Sequence, residues 1–161
     1  MSVSSITSSL AAHQSARLGP LLQIGDAQAR LARLVEEARR RPALAPAWRV
    51  EANRVEGCLV RLWFVAELRE GQCHFQCDSD AVSLKAVGGL LCELYSGLTA
   101  EEILATPGGV LEPLQILHQL AENRQRTIAR IEEKIRAFAR ESGLESQLES
   151  KLQLARGHAK A

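Results

Sequence analysis

Val60-Arg-Leu-Trp-Phe-Val-Ala-Glu-Leu-Arg-Glu-Gly-Gln-Cys-His-Phe-Gln-Cys77 is the stretch on which the fold turns. Val60, Leu62, Phe64, Ala66 and Leu68 stand at even positions, with Arg61, Glu67 and Arg69 among the odd ones. That period of two is the pattern of a half-buried strand. Arg69-Glu70-Gly71 supplies a short turn, after which Cys73, Phe75 and Cys77 alternate with Gln72, His74 and Gln76. The reading is a β-hairpin.

Downstream, Asp78-Ser79-Asp80 offers three N-cap side chains to a helix from Ala81 to Ser96, which Gly97 closes. This helix is largely apolar and therefore central. Thr99-Ala-Glu-Glu102 fits a capping box and opens a short helix that stops before Pro107-Gly108-Gly109. Another short helix is expected around Leu114 to Leu120. Ile128, Ile131, Ile135 and Phe138 form one stripe of a long helix from about Glu122 to Glu141, punctuated by Gly143. Leu144, Leu148 and Leu152 then recur every four residues with charges between them, which predicts a final exposed or partner-binding helix over residues 142–161.

Upstream, residues 48 to 56 connect into Gly57-Cys58, where the chain must turn. Pro42 and Pro46 break the chain before that. Asp26 is a candidate N-cap for a helix carrying Leu31, Leu34, Val35 and Ala38 on one face, with Arg39, Arg40 and Arg41 complementing its C-terminal dipole. Residues 1–25 are Ser-rich, hold one Arg and no acid, and read as a tail or short helix rather than a secretory signal.

The composition of the 161 residues, 46% hydrophobic and 24% charged, is that of one soluble globular domain. Twenty Lys and Arg against nineteen Asp and Glu leave a net charge of +1, which argues against a dedicated nucleic-acid or anionic-membrane binder. One Tyr, two Trp and three Phe would supply a base-stacking platform poorly. No apolar run approaches the roughly 18 residues of a bilayer span. Residues 67 to 112 hold eight acids and two bases between net-basic flanks, a pattern that suggests internal charge complementarity.

Four cysteines, at positions 58, 73, 77 and 92, carry the candidate chemistry. On a strand, Cys73 and Cys77 would lie roughly 13 Å apart, too far to share one ion or form a disulfide, so they read as small core hydrophobes and His74 as a surface residue. A helical wheel puts Cys92 near Lys85 and away from the Ala86, Leu90, Leu94 stripe, which predicts partial accessibility. Cys58 follows Gly57 in a loop, where a thiol is presented to another molecule. On the residues alone it reads either as a structural thiol or as a nucleophile without a neighbouring His.

The segment Asn53-Arg-Val-Glu-Gly-Cys58-Leu-Val-Arg-Leu-Trp63, followed by Asp78-Ser-Asp80, Leu84-Lys85 and Leu94-Tyr-Ser-Gly97-Leu-Thr99, resembles the SufE family of sulfur-acceptor proteins. The resemblance covers roughly residues 26–141. It implies an α+β domain, a small antiparallel sheet of about three strands packed against helices, similar to the iron–sulfur scaffold fold, and the hairpin and helix reading agrees. It also implies that Cys58 accepts persulfide sulfur from a pyridoxal-phosphate-dependent cysteine desulfurase, stimulates that enzyme, and passes sulfur to an iron–sulfur cluster assembly scaffold. The matching residues Asn53, Gly57, Asp80 and Lys85 would support the loop. Arg124, at the start of the last long helix, would stabilise the thiolate or persulfide anion.

The sequence departs from the family pattern in several places. Leu59-Val60 replaces polar residues after the cysteine, Ala86 replaces a glycine, and Ala121-Glu122-Asn123-Arg124 replaces Ser-Pro-Ser-Arg. The expectation is a carrier rather than a stand-alone enzyme, with no cofactor of its own, no nucleic-acid or membrane partner, and cytoplasmic placement. Two other readings are a scaffold-like metal or cluster binder using Cys58 with other thiols, and a helical adaptor acting through the C-terminal leucines.

Overall fold

The computed structural model describes residues 3–159. Its element order is α1 (Val3–Leu22), α2 (Ala27–Arg40), β1 (Leu62–Arg69), β2 (Gln72–Ser79), α3 (Val82–Tyr95), α4 (Ala100–Ala105) and α5 (Glu122–His158), with short 3-10 turns at Glu51–Asn53, Glu112–Leu114 and Leu117–Gln119. The fold is α+β, a two-stranded antiparallel sheet packed against helices. No helix among the described residues is long and apolar enough to cross a membrane.

The hairpin forms in the register that the alternation predicts, from Leu62 opposite Ser79 to Arg69 opposite Gln72. Glu70 and Gly71 at its tip both have positive φ, 52° and 78°, the mirror-image turn that matches the twist of the strands. The sheet has two strands where about three were expected. The segments that flank it each join through one isolated bridge, Cys73 with Leu98 and Arg54 with Trp63. Neither extends, because Gly97 turns the chain at φ 85° and Thr99 immediately caps α4, while Val55 leads straight into a loop.

The strand β1 is also less one-sided than its alternation implies. Leu62 faces the main core and is fully buried, yet Trp63 and Val65 on the opposite face are buried too, in a small cluster with Leu44. The segment after Pro42 folds over that face. Leu68, at the hairpin tip beyond this cover, is 48% exposed.

Helix α3 is the central element. Ala86, Val87, Leu90 and Leu91 are completely buried among β2, α2 and α5. A Cβ on Gly88 would stand 2.9 Å from Cys77 Sγ and 3.0 Å from Ile131 Cδ1, so glycine here lets strand and helix close onto α3 despite its poor helix propensity. No side chain caps the α3 N-terminus. Asp78 and Ser79, expected as caps with Asp80, are drawn into tertiary contacts instead. The Ser79 hydroxyl donates to the Arg61 carbonyl at 2.8 Å and accepts from Ala81 N at 3.2 Å.

Other local expectations are met by geometry. Asp26 Oδ2 accepts from Ala29 N at 2.9 Å at the start of α2. Thr99 and Glu102 form the reciprocal capping box of α4. The stretch around Leu114 to Leu120 is not one short helix but two 3-10 turns, separated at Gln115, whose φ of 55° is incompatible with helix continuation. Residues 3–22 form a helix that inserts Leu10, Leu18 and Leu21 into the core and holds Glu37 and Glu93 through Arg17, each at 2.7 Å.

Helix α5 runs through Gly143 without a break. One interior glycine costs only about 1 kcal/mol, and no proline follows it. Ile128, Ile131, Ile135, Ala139 and Ser142 bury its inner line. Past that line Leu144, Leu148 and Leu152 are 56–61% exposed, on the helix side opposite the buried stripe.

Tyr95, the only tyrosine, ends α3 fully buried, donating to Glu132 Oε1 at 3.1 Å while Arg136 Nη2 lies 3.4 Å from its oxygen. Burial first, and then the Glu132 carboxylate, push its phenol up to about 12. The protonated form is thus preferred by the folded state, and its contribution to stability is complete below the unfolded value of about 10 and lost as pH rises toward 12. Ultraviolet titration of the phenolate should give a midpoint near 12 in buffer and near 10 in denaturant. A native midpoint near 10 would contradict this environment.

Candidate functional site

The Cys58 loop leaves the fold at Val55 and returns at Leu62. Its base is closed by Val55 N donating to the Leu62 carbonyl at 2.9 Å. On the return side the Arg61 carbonyl accepts from Asp80 N at 3.2 Å, and the Arg61 guanidinium reaches Asp80 Oδ2 at 2.7 Å. Backbone and side chain of Arg61 are therefore tied to the end of β2, so the loop is a small projection on a fixed base. Asn53 braces the approach, its Nδ2 donating to the Trp48 carbonyl at 2.9 Å.

Gly57 makes the turn at φ 76°. A Cβ there would lie 2.6 Å from Arg130 Nη1, because that guanidinium lies against the glycine and donates to the Glu56 carbonyl at 3.3 Å. The left-handed backbone favours glycine here, while the guanidinium, at the end of a flexible side chain, can give way. Gly57→Ala should destabilise the protein by about 1–2 kcal/mol, the cost of holding an L-residue left-handed, read from urea unfolding. An unchanged midpoint would show that the loop simply rearranges.

Cys58 follows, half-buried and packed against the edge of the main core. Its neighbour Leu59 points the other way and is 87% exposed. The thiol is thus partly sheltered by apolar surroundings while the next residue stands in solvent.

Of the other predicted residues, some lie at this loop and some do not. Asp80 is at its base. Lys85 lies on α3, donating to the Arg41 carbonyl at 3.0 Å with Asp78 Oδ1 3.8 Å away. Arg124 donates to Ser83 Oγ at 2.7 Å at the start of α3. The guanidinium in contact with the loop itself belongs to Arg130, which the sequence offers only as one of several charges on the α5 surface. No local signal marks it, since its role depends on how α5 lies against residues 56 and 57.

Asp78 is the second residue that sequence reasoning undervalued. It is 4% exposed, and its carboxylate accepts from Leu44 N and Ser79 N, both at 2.9 Å, with Lys85 and Arg49 beside it. It ties the segment after Pro42, the end of β2 and α3 together beneath the Trp63 ring, over which Arg49 stacks at 4.3 Å. A charged residue next to Cys77 in an alternating strand was the available clue.

The remaining thiols lie inside. Cys73 and Cys77 flank buried Phe75 on one face, as expected, and burial pushes the Cys73 thiol up. Cys92, expected to be partly accessible, is only 3% exposed, at the inner wall of a cleft between α3 and the segment after Pro42. Among the described residues no three of His, Cys, Asp and Glu are grouped to hold a metal ion, which leaves the cluster-binding reading without a ligand set.

A two-stranded sheet wrapped by helices, with one half-buried cysteine after a left-handed glycine in a loop, defines a small α+β protein. Residues 19–139 match SufE, the Fe-S metabolism associated domain, and the chain belongs to that family. It is 32% identical over 76 residues to an uncharacterized SufE-like protein of Synechocystis sp., covering 47% of this chain and 48% of that one. It is 36% identical over 90 residues to the chloroplastic quinolinate synthase of Oryza sativa subsp. japonica, covering 55% of this chain and 13% of that one. The chain thus spans about half or less of these curated relatives. A solution structure of a hypothetical protein from Thermus thermophilus shares the fold, with a TM-score of 0.65 at 23% identity over 81% of this chain and 95% of that one.

Proposed function

We propose that this protein is a sulfur carrier in Fe–S metabolism that receives persulfide sulfur on Cys58 from a cysteine desulfurase. The single observation that supports this reading most is the loop itself, in which a half-buried Cys58 sits between left-handed Gly57 and exposed Leu59 on a base tied to Asp80. The Cys58 thiolate attacks the terminal sulfur of the donor persulfide. The donor S–S bond breaks, the donor cysteine leaves as thiolate, and Cys58 holds the persulfide. No net oxidation or reduction occurs, so no cofactor is required on this chain. Release to an iron–sulfur assembly scaffold repeats the exchange toward the recipient thiol, and free-thiol chemistry of this kind suits the cytoplasm.

Arg130 and Arg61 supply cationic character around the loop, and Leu59 offers an apolar contact to the docked desulfurase. Intact-protein mass measurement after incubation with a desulfurase and cysteine tests the reading, comparing wild type with Cys58→Ser and Cys92→Ser. A one-sulfur adduct lost only in Cys58→Ser supports it, and an adduct that survives in Cys58→Ser overturns it. The exposed Leu144, Leu148 and Leu152 favour an adaptor reading as the alternative, in which removing residues 143–161 abolishes partner binding while Cys58→Ser does not.

A further inference from the structure

Cys77 on β2 and Cys92 on α3 take no part in the chemistry assigned to Cys58, yet they lie on facing elements of the core. The neighbouring Cys77 thiol, and then burial, push the Cys92 thiol well up. An independent feature brings Cys77 to the same helix face. Its sulfur rests against Gly88, one turn before Cys92, at a distance of 2.9 Å from where a Cβ would be. Both cysteines also line an open cleft of about 380 Å³ bounded by Arg41, Leu44 and Glu93. The Arg41 guanidinium lies over Gly89 at its wall, where it offsets part of the upward push on the Cys92 thiol. Cys73, by contrast, is fully buried and lies outside the cleft.

We propose that Cys77 and Cys92 form an oxidisable dithiol, a second thiol site separate from Cys58, which a hydroperoxide entering the cleft converts to a disulfide. Cys77, the more exposed of the two at 9% against 3%, meets the oxidant first. Its sulfur attacks the peroxide, the O–O bond breaks, and one water leaves when hydrogen peroxide is the oxidant, giving Cys77 sulfenic acid. The Cys92 sulfur then attacks Cys77, the S–O bond breaks, and a second water leaves as the disulfide forms. Two electrons pass from the dithiol to the peroxide, and the two thiol protons end in water. The bond would pin β2 to α3 and is reversed by thiol reductants. This site does not depend on the role proposed for Cys58.

The test treats the native full-length chain with hydrogen peroxide, alkylates the remaining thiols, digests with trypsin and identifies the linked peptides. Cleavage after Arg69, Lys85 and Arg124 places Cys73 and Cys77 on residues 70–85 and Cys92 on residues 86–124, with Cys58 on residues 55–61. The expected product joins residues 70–85 to residues 86–124, with fragmentation locating the bond at Cys77. It should also form in Cys58→Ser and Cys73→Ser, and vanish on reduction. Locating the bond by fragmentation in the wild type removes dependence on whether Cys77→Ser folds. Oxidation confined to Cys58, a bond to Cys73, or a Cys77–Cys92 bond that appears only in urea would each overturn the proposal.

Discussion

In the presence of Cys58→Ser, a cysteine desulfurase should turn over no faster than it does alone, whereas wild type should accelerate it. The reason is chemical rather than steric. A serine hydroxyl at position 58 keeps the size of the side chain and its place against the core edge, but it cannot accept sulfur at neutral pH, since the thiolate is the nucleophile in persulfide exchange. Because Cys58 is half-buried at the edge rather than in the interior, the substitution should shift the unfolding midpoint little. Retained folding with complete loss of acceleration separates a carrier from a docking partner that merely reshapes the desulfurase. If Cys58→Ser accelerates as well as wild type, the carrier reading fails. Cys92→Ser, altered deep inside, should still accelerate.

Asp78→Ala should cost about 3 kcal/mol of stability, the largest loss expected from one change outside the apolar core. The carboxylate is nearly inaccessible, and its removal strips acceptors from two backbone N–H groups, those of Leu44 and Ser79. It also leaves the Lys85 ammonium, 14% exposed and 3.8 Å from Asp78, with the Arg41 carbonyl but without its carboxylate. The loss should appear as a lower urea midpoint with an unchanged slope. Asp78→Asn keeps one acceptor oxygen and should cost less. Asp80→Ala, whose side chain is 38% exposed, should cost under about 1 kcal/mol, as is usual for a surface ion pair. Equal costs for Asp78→Ala and Asp80→Ala would show that the buried carboxylate is not the hub of this region.

Much of the local architecture is legible from side-chain spacing. Alternation from Val60 to Cys77 yields the hairpin in its observed register, Asp26 and Thr99 cap helices where their spacing says they should, and Gly57 turns the chain before the cysteine. These features depend on contacts within a few residues, which spacing encodes directly. The strand count, the run of α5 through Gly143 and the fate of the Asp78-Ser79-Asp80 caps are not legible in this way. A capping side chain goes to whichever partner offers the better hydrogen bond, and for Asp78 that partner is Leu44 N, thirty-four residues away.

The candidate site divides along the same line. Cys58 and its glycine are marked in the sequence, and the resemblance picks out Asn53 and Asp80, which brace the loop, together with Lys85, whose ammonium reaches the Arg41 carbonyl instead. Arg130 over Gly57, the burial of Trp63 beneath Arg49, and the cleft that Cys77 and Cys92 share arise only when α5, the segment after Pro42 and α3 are brought together. The sequence by itself determined the hairpin, the helix boundaries set by short-range caps and the cysteine on its hinge, because backbone preference and local periodicity act over one or two turns. Tertiary structure decided which faces are covered, which charges are buried and which thiols are enclosed, because burial is a property of what a distant segment places against a residue, and no pattern in its neighbours records that.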